Sequence, residues 1–544
     1  MAESENRFDA LIIGAGVCGI YMLYRLKQLG MSVRVLERGG GPGGTWYWNR
    51  YPGARFDSES YSYGYSFSEE LLQEWDWSEH FAAQPETLRY LNHVVDRFSL
   101  RDDMQFDSDV ESSVFDEAAR EWQVTLASGE TFRARFLLTA IGMLSAATPP
   151  AIPGVDTFKG QSFHTYYWPQ EPVELEGKRV AVIGTGATGV QVIGEIADKV
   201  GQLTVFQRRP NWCAPLHNGP ISDEEQEKIK ASYDEIFARC KETPGAFLHG
   251  PDPRNSTEVT AEDRRKLWEE IYAAPGFAVW LANFRDILMD PDANAEYSAF
   301  IADKIRERVD DPDIAEKLIP KDHGFGSRRV PQETNYYEAY NRDNVRLVDV
   351  NETPIEAITE TGIRTSAEDH QFDIIVYATG FDAITGAYDR MHFEGVGGQT
   401  LRDKWRDGPQ TYLGVQTVGF PNMITLAGPQ GASVSTNFPR SIEDMVDWTA
   451  ELMAFLRDGG YDLLEPDQAA EDAWTAEAAA TYEGLMVSTA QSWFTGYNSN
   501  VEGHTNKDKI RYIAYFGGAP RYPQRLASVA EAGYEGFNLS RSAE

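Results

Sequence analysis

The sequence predicts an α/β protein with two Rossmann-like dinucleotide-binding domains and a mostly helical insertion. Three observations carry this. A glycine fingerprint after a short apolar strand occurs twice, as Gly14-Ala15-Gly16-Val17-Cys18-Gly19 following Ala10–Ile13 and as Gly184-Thr185-Gly186-Ala187-Thr188-Gly189 following Val180–Ile183. Such glycines let the backbone approach a pyrophosphate at a helix N-terminus. From 221 to 325, apolar residues recur at helical spacing. Finally, 544 residues exceed the roughly 250–300 at which one core stops growing, so several domains are expected.

With 42% hydrophobic and 25% charged residues, the chain is expected to fold in water. No apolar run approaches the roughly 20 residues that span a bilayer, and Met1 to Asp9 is polar and acidic rather than a leader. A cytoplasmic protein without a membrane partner is expected, with a monomer favoured. The net charge of −34 argues against a nucleic-acid partner, whose phosphates need clustered Lys and Arg. It also makes any arginine at a nucleotide site informative, because that residue works against a negative field. Cys18, Cys213 and Cys240 lie far apart in the sequence. Neither disulfide exchange nor a bound metal is expected from them.

After the first fingerprint, Ile20–Leu29 is predicted as a helix and Ser32–Leu36 as a strand ending in Glu37. That is the place for an acid that accepts hydrogen bonds from a ribose diol. Gly14, Gly16, Gly19 and Glu37 are thus expected to hold one dinucleotide. From Leu100 to Phe136 the alternation predicts a small antiparallel excursion, followed by a buried strand over Phe136–Ile141.

Two further stretches narrow the chemistry. Gly43-Gly44-Thr45-Trp46-Tyr47-Trp48-Asn49-Arg50-Tyr51-Pro52-Gly53-Ala54-Arg55-Phe56-Asp57 sets paired glycines among aromatics, which suits a loop covering a flat ring. Phe158-Lys159-Gly160-Gln161-Ser162-Phe163-His164-Thr165-Tyr166-Tyr167-Trp168-Pro169 lies between the two fingerprints, as a connector able to sense both. These stretches resemble the motifs of the Baeyer–Villiger monooxygenases, flavoenzymes that insert oxygen beside a ketone carbonyl, and in particular of the cyclohexanone and other cycloalkanone monooxygenases. The resemblance runs from Phe8 to Phe537. It implies FAD at the first site, contacted by Gly44, Thr45, Trp46, Tyr51 and Asp57, with Asp57 orienting a catalytic arginine. It also assigns Phe158, Gly160, His164, Trp168 and Pro169 to coupling the two domains.

Pro149, Pro150, Pro153 and Gly154 mark a domain boundary. In the second site, with Gly184, Gly186, Thr188 and Gly189, the following strand Leu203–Phe206 ends in Gln207-Arg208-Arg209 rather than an acid. Arginine binds a 2′-phosphate through charge-assisted hydrogen bonds, so Arg208 and Arg209 predict NADPH over NADH.

In the insertion, Ser222 with Glu225 forms a capping-box pattern, and Ile229, Tyr233, Ile236 and Phe237 follow at helical spacing. Thr260 opens a similar run with Leu267, Trp268, Ile271 and Tyr272. Beyond it, the resemblance counts back from Tyr336 to Arg329 as the catalytic arginine and gives Arg328 a second NADPH-phosphate contact. Val330 stands where the family commonly has proline. Phe372–Thr379 and Pro421–Ala427 are predicted strands, and Ser441–Leu456 an amphipathic helix. Ser492-Trp493-Phe494 resembles the family's mobile loop, whose tryptophan covers the nicotinamide.

The expected organisation is an FAD domain from 1–145 and 381–544, with a mobile loop near 488–507. An NADPH domain is expected from 146–220 and 326–380, and the helical insertion at 221–325. The activity implied is NADPH- and O2-dependent conversion of a ketone, expected to be cyclic, into an ester or lactone through a flavin peroxide. Trp212 and a lengthened 432–438 loop point towards bulky or macrocyclic ketones. The rivals are a flavin monooxygenase acting on sulfur or nitrogen and a non-catalytic dinucleotide sensor. A disulfide reductase lacks the cysteine pair it would need.

Overall fold

The computed structural model describes residues 6–541; the Met1–Glu5 part of the acidic N-terminal stretch lies outside them. Two sheets organise the chain. The first runs, in order, His392–Glu394, Val110–Asp116, Glu121–Leu126, Thr131–Thr139, Arg7–Ile13, Val33–Leu36 and Met104–Gln105, with Met423–Thr425 also paired to Thr131–Thr139. The second runs Val345–Asp349, Gln202–Gln207, Arg179–Ile183, Ile374–Tyr377 and Gln161–His164, all parallel.

Each fingerprint joins a central strand to a helix, Val17–Gln28 in the first sheet and Ala187–Ile196 in the second. A Cβ on Gly19 would lie 1.9 Å from the Gly14 carbonyl oxygen, and one on Gly189 would lie 2.2 Å from that of Gly184. Glycine at these positions therefore lets each helix press onto its own strand end, and the two turns solve this in the same way.

The predicted antiparallel excursion and the buried strand after it share one strand, Thr131–Thr139. Its start pairs antiparallel with Glu121–Leu126, while Arg7–Ile13 pairs parallel along most of its length. Burial alternates at first and becomes continuous from Phe136 as the strand enters the doubly covered part of the sheet.

The connector departs from expectation more clearly. Gln161–His164 is the edge strand of the second sheet, paired with Ile374–Tyr377, and a short turn over Thr165–Tyr167 follows. Edge strands are half exposed and lack the alternation that announces an inner strand.

The insertion contains the helices Asp223–Ala231, Tyr233–Glu242, Ala261–Ala273, Pro291–Arg308 and Pro312–Leu318, with the short turn Ala278–Leu281. Ser222 and Glu225 form the predicted capping box. Trp268, Ile271, Tyr297 and Phe300 share one core with Val180, Val182 and Val376, so the insertion is packed onto the second sheet. The amphipathic helix Phe438–Gly459 buries Ile442, Met445 and Val446 in the core that holds Ile20 and Leu23 of the first fingerprint helix. Among the described residues, no helix is long and apolar enough to cross a membrane.

Candidate active site

A cavity of about 1150 Å³ extends between the two sheets and the insertion. Gly14, Gly16, Glu37, Gly44, Thr45, Trp46, Tyr51 and Asp57 line it from the first domain, and Gly186 and Thr188 from the second. Both fingerprint helices begin at a glycine with no side-chain cap and no acid in the first turn. Their N-terminal N–H groups and positive dipole ends are thus available to an anion. A Cβ on Gly186 would meet nothing within 4 Å, which leaves a backbone cradle open to the cavity.

Glu37 is buried, and its two oxygens accept from the Ala15 and Gly39 amides, both at 2.7 Å. This holds the carboxylate at the cavity wall with lone pairs to spare for a diol. Gly44 has φ +53°, and a Cβ there would lie 2.7 Å from the Gly16 Cα, so the two glycine segments touch. The aromatic segment after it forms a one-turn helix, Thr45–Trp48, rather than an open loop. Trp46 points inward, donating to the Tyr63 hydroxyl at 3.0 Å. Tyr51 donates to Gln191 of the second domain at 2.8 Å. Burial pushes its phenol up to about 12, so it stays a neutral donor.

The predicted acid and arginine meet. Arg329 Nη2 donates to Asp57 Oδ2 at 2.5 Å, with the Asp57 side chain 1% and the Arg329 side chain 35% exposed. Burial pushes the Asp57 carboxyl up, and Arg329 pulls it part of the way back.

Arg208, Arg209 and Arg328 form a second cationic group. Partial burial of its head group lowers the Arg208 pKa, with repulsion from Arg209 adding to it, and burial lowers that of Arg328, which Arg209 also repels. Arg208 reaches Ser499 at 2.9 Å and Arg328 reaches Asp322 at 3.1 Å. Arg328 lines the cavity, whereas Arg208 and Arg209 stand beyond its lining. Trp493 lines it beside Phe494, with ring centroids 3.9 Å apart.

The connector sits at the seam between the sheets. His164 Nδ1 accepts from the Tyr166 amide at 3.1 Å, and the Tyr166 hydroxyl accepts from Arg38 at 2.9 Å. Tyr166 also stacks on Trp48 at 5.6 Å. Phe158 packs at the edge of the second sheet's core, Gly160 abuts the Asp373 carbonyl, and Trp168 packs on Phe163.

Trp212 gives a correction. It is 3% exposed, donates to the His323 carbonyl at 2.9 Å and lies in the core of the second domain. It says nothing about ketone size. Sequence reasoning missed Gln191, Arg38 and the apolar wall of Phe247, Phe277, Trp280 and Leu281, because these residues meet the motifs only in space.

Residues 11–246 match the pyridine nucleotide-disulphide oxidoreductase family model. Over the whole chain the similarity is more specific. A 2-oxo-Delta(3)-4,5,5-trimethylcyclopentenylacetyl-CoA monooxygenase of Pseudomonas putida is 45% identical, covering 98% of both chains. A Baeyer–Villiger monooxygenase of Pseudooceanicola batsensis is 40% identical, covering 99% of this chain and 97% of its own. The chain belongs to the Baeyer–Villiger monooxygenase family. The crystal structure of OTEMO in complex with FAD and NADP matches with a TM-score of 0.94 at 45% identity, covering 98% of this chain and 99% of that one. The chain is accordingly an FAD-containing, NADPH-dependent member of this family. The two uncapped helix ends, the Glu37 carboxylate and the open cradle at Gly186 fit two dinucleotides meeting in one cavity.

Proposed function

We propose that this chain converts cyclic ketones to lactones with Arg329 as the catalytic cation and Asp57 as the carboxylate that fixes it. The observation that supports this is the pairing of Arg329 with the buried Asp57 at 2.5 Å, within a cavity that both glycine turns line. FAD, when bound, would supply the activated oxygen, with NADPH as the source of electrons. One atom of O2 enters the ring beside the carbonyl and the other leaves as water, with NADPH giving two electrons and solvent a proton.

Arg329 spends one N–H on Asp57 and keeps the rest of its guanidinium free to donate to a carbonyl oxygen in the cavity. A preorganised cation there polarises the carbonyl and holds negative charge on oxygen as it develops. Asp57 keeps the guanidinium plane from rotating. Phe247, Phe277, Trp280 and Leu281 give the cavity an apolar wall, which takes a hydrocarbon ring and keeps out bulk water. Arg208, Arg209 and Arg328 take the 2′-phosphate of NADPH. Trp493, which lines the cavity, would cover the nicotinamide, and Tyr166 with His164 couples the two domains. Residues 1–145 and 381–544 form the FAD-holding unit, and 146–220 with 326–380 the NADPH-holding one.

Arg329→Ala is expected to go on oxidising NADPH slowly while forming no lactone, measured by product chromatography against NADPH consumed. Full lactone yield from that variant refutes the assignment. Sulfides and amines in the same panel test the rival chemistry, which would survive the substitution.

A further inference from the structure

The part of the insertion that walls the cavity is fastened to the first domain by a histidine–carboxylate hydrogen bond that the chemistry above leaves unused. Residues 243–248 form a run of turns and bends after the helix Tyr233–Glu242, and His249 follows them directly. Within it, Pro244, Gly245 and Phe247 line the cavity, and the Phe247 ring stands 4.9 Å from Phe277. His249 Nε2 lies 2.8 Å from Glu59 Oε1.

Glu59 is only 4% exposed and stands two residues after Asp57. Its carbonyl accepts from the Ser62 and Tyr63 amides at 2.9 and 3.0 Å, so it starts the one-turn helix Ser60–Tyr63. A Cβ on Gly276 would lie 3.4 Å from the same Glu59 Oε1 and 2.8 Å from the Phe81 ring, so the carboxylate is closely packed. A carboxylate buried this deeply is costly to leave without a hydrogen-bond partner. The loop has two further ties to the first domain, from the Asn437 amide to the Gly245 carbonyl and from the Ala519 amide to the Pro244 carbonyl, each at 2.7 Å.

We propose that His249 and Glu59 are positioning residues, seating the 243–249 loop and its Phe247 against the segment that carries Asp57, and thereby set how tightly the ketone is held. The proposal rests on the assignment of Asp57 and Arg329 given above. A hydrogen bond to a buried charge is strong enough to decide the conformation of a loop that has no ladder of its own. Released from Glu59, Phe247 loses its seat, whereas the arginines assigned to the 2′-phosphate lie elsewhere and keep theirs.

In the FAD-loaded enzyme, His249→Ala is expected to raise the KM for the best-accepted cyclic ketone of a small panel by about tenfold. The kcat and the KM for NADPH should stay within about twofold, because neither is set by this loop. His249→Gln, which keeps a donor at similar reach, should restore most of the ketone KM. Without ketone, hydrogen exchange in His249→Ala should quicken at residues 58–63 and 244–250 together. An unchanged ketone KM, an NADPH KM rising in step with it, or exchange at parental rates in both segments overturns the proposal. Arg329→Ala separates the two readings: it loses lactone at every ketone concentration, whereas His249→Ala recovers product at saturation.

Discussion

Asp57 carries a conflict that Arg329 only partly relieves. Burial pushes its carboxyl up from the ordinary aspartate value, and the guanidinium does not bring it all the way back. The folded protein therefore holds this proton to higher pH than the unfolded chain does. Stability from this group is lost as pH rises from the ordinary carboxylate value through the folded one, so at neutral pH the ionised side chain costs stability. Asp57→Asn keeps the shape and removes the charge. Its Tm should exceed the parent's near about pH 7.5 and match it near about pH 4, while lactone formation falls about 100-fold. Thermal melts at both pH values with product chromatography check this; a lower Tm at neutral pH would make the charge net stabilising. The pair lies 272 residues apart in sequence and was legible because each member sits in its own motif. Glu59 and His249, 190 residues apart, have no such local sign.

At the scale of elements, the strand that follows Arg329 is held by the insertion. Gln332–Glu333 pairs with Ala214–Pro215, and the fully buried Glu333 side chain accepts from Arg308 at 2.7 Å. Arg308 ends the helix Pro291–Arg308 and also grips Glu338 through two bonds, at 2.6 and 2.8 Å. Arg308→Leu leaves Glu333 buried without its cation and should cost about 3–5 kcal/mol. The double variant with Glu333→Leu should regain most of that, as measured by urea unfolding. The insertion's helices were legible from spacing and caps, since both are local. The edge strand Gln161–His164 was not, because its partner Ile374–Tyr377 lies far along the chain and half its side chains face solvent.

For the whole molecule, the charge balance frames the nucleotide preference. Against a net charge of −34, the grouping of Arg208, Arg209 and Arg328 holds mutually repelling cations together, a cost that a bound dianion would relieve. Arg208→Ala should raise the KM for NADPH at least about tenfold and leave that for NADH nearly unchanged, read from steady-state kinetics with each nucleotide. Arg208 and Arg209 were legible as the residues ending one strand, and Arg328 through its motif. Their convergence required the fold. By itself, the sequence determined the two fingerprints, the acid ending one strand and the arginines ending the other, because backbone turns and strand ends are set by neighbours in the chain. The tertiary structure alone decided that both fingerprints open into one cavity, which aromatic residues wall it and which buried carboxylates anchor its rim. Those facts depend on contacts between residues hundreds of positions apart, and no local pattern of side chains records them.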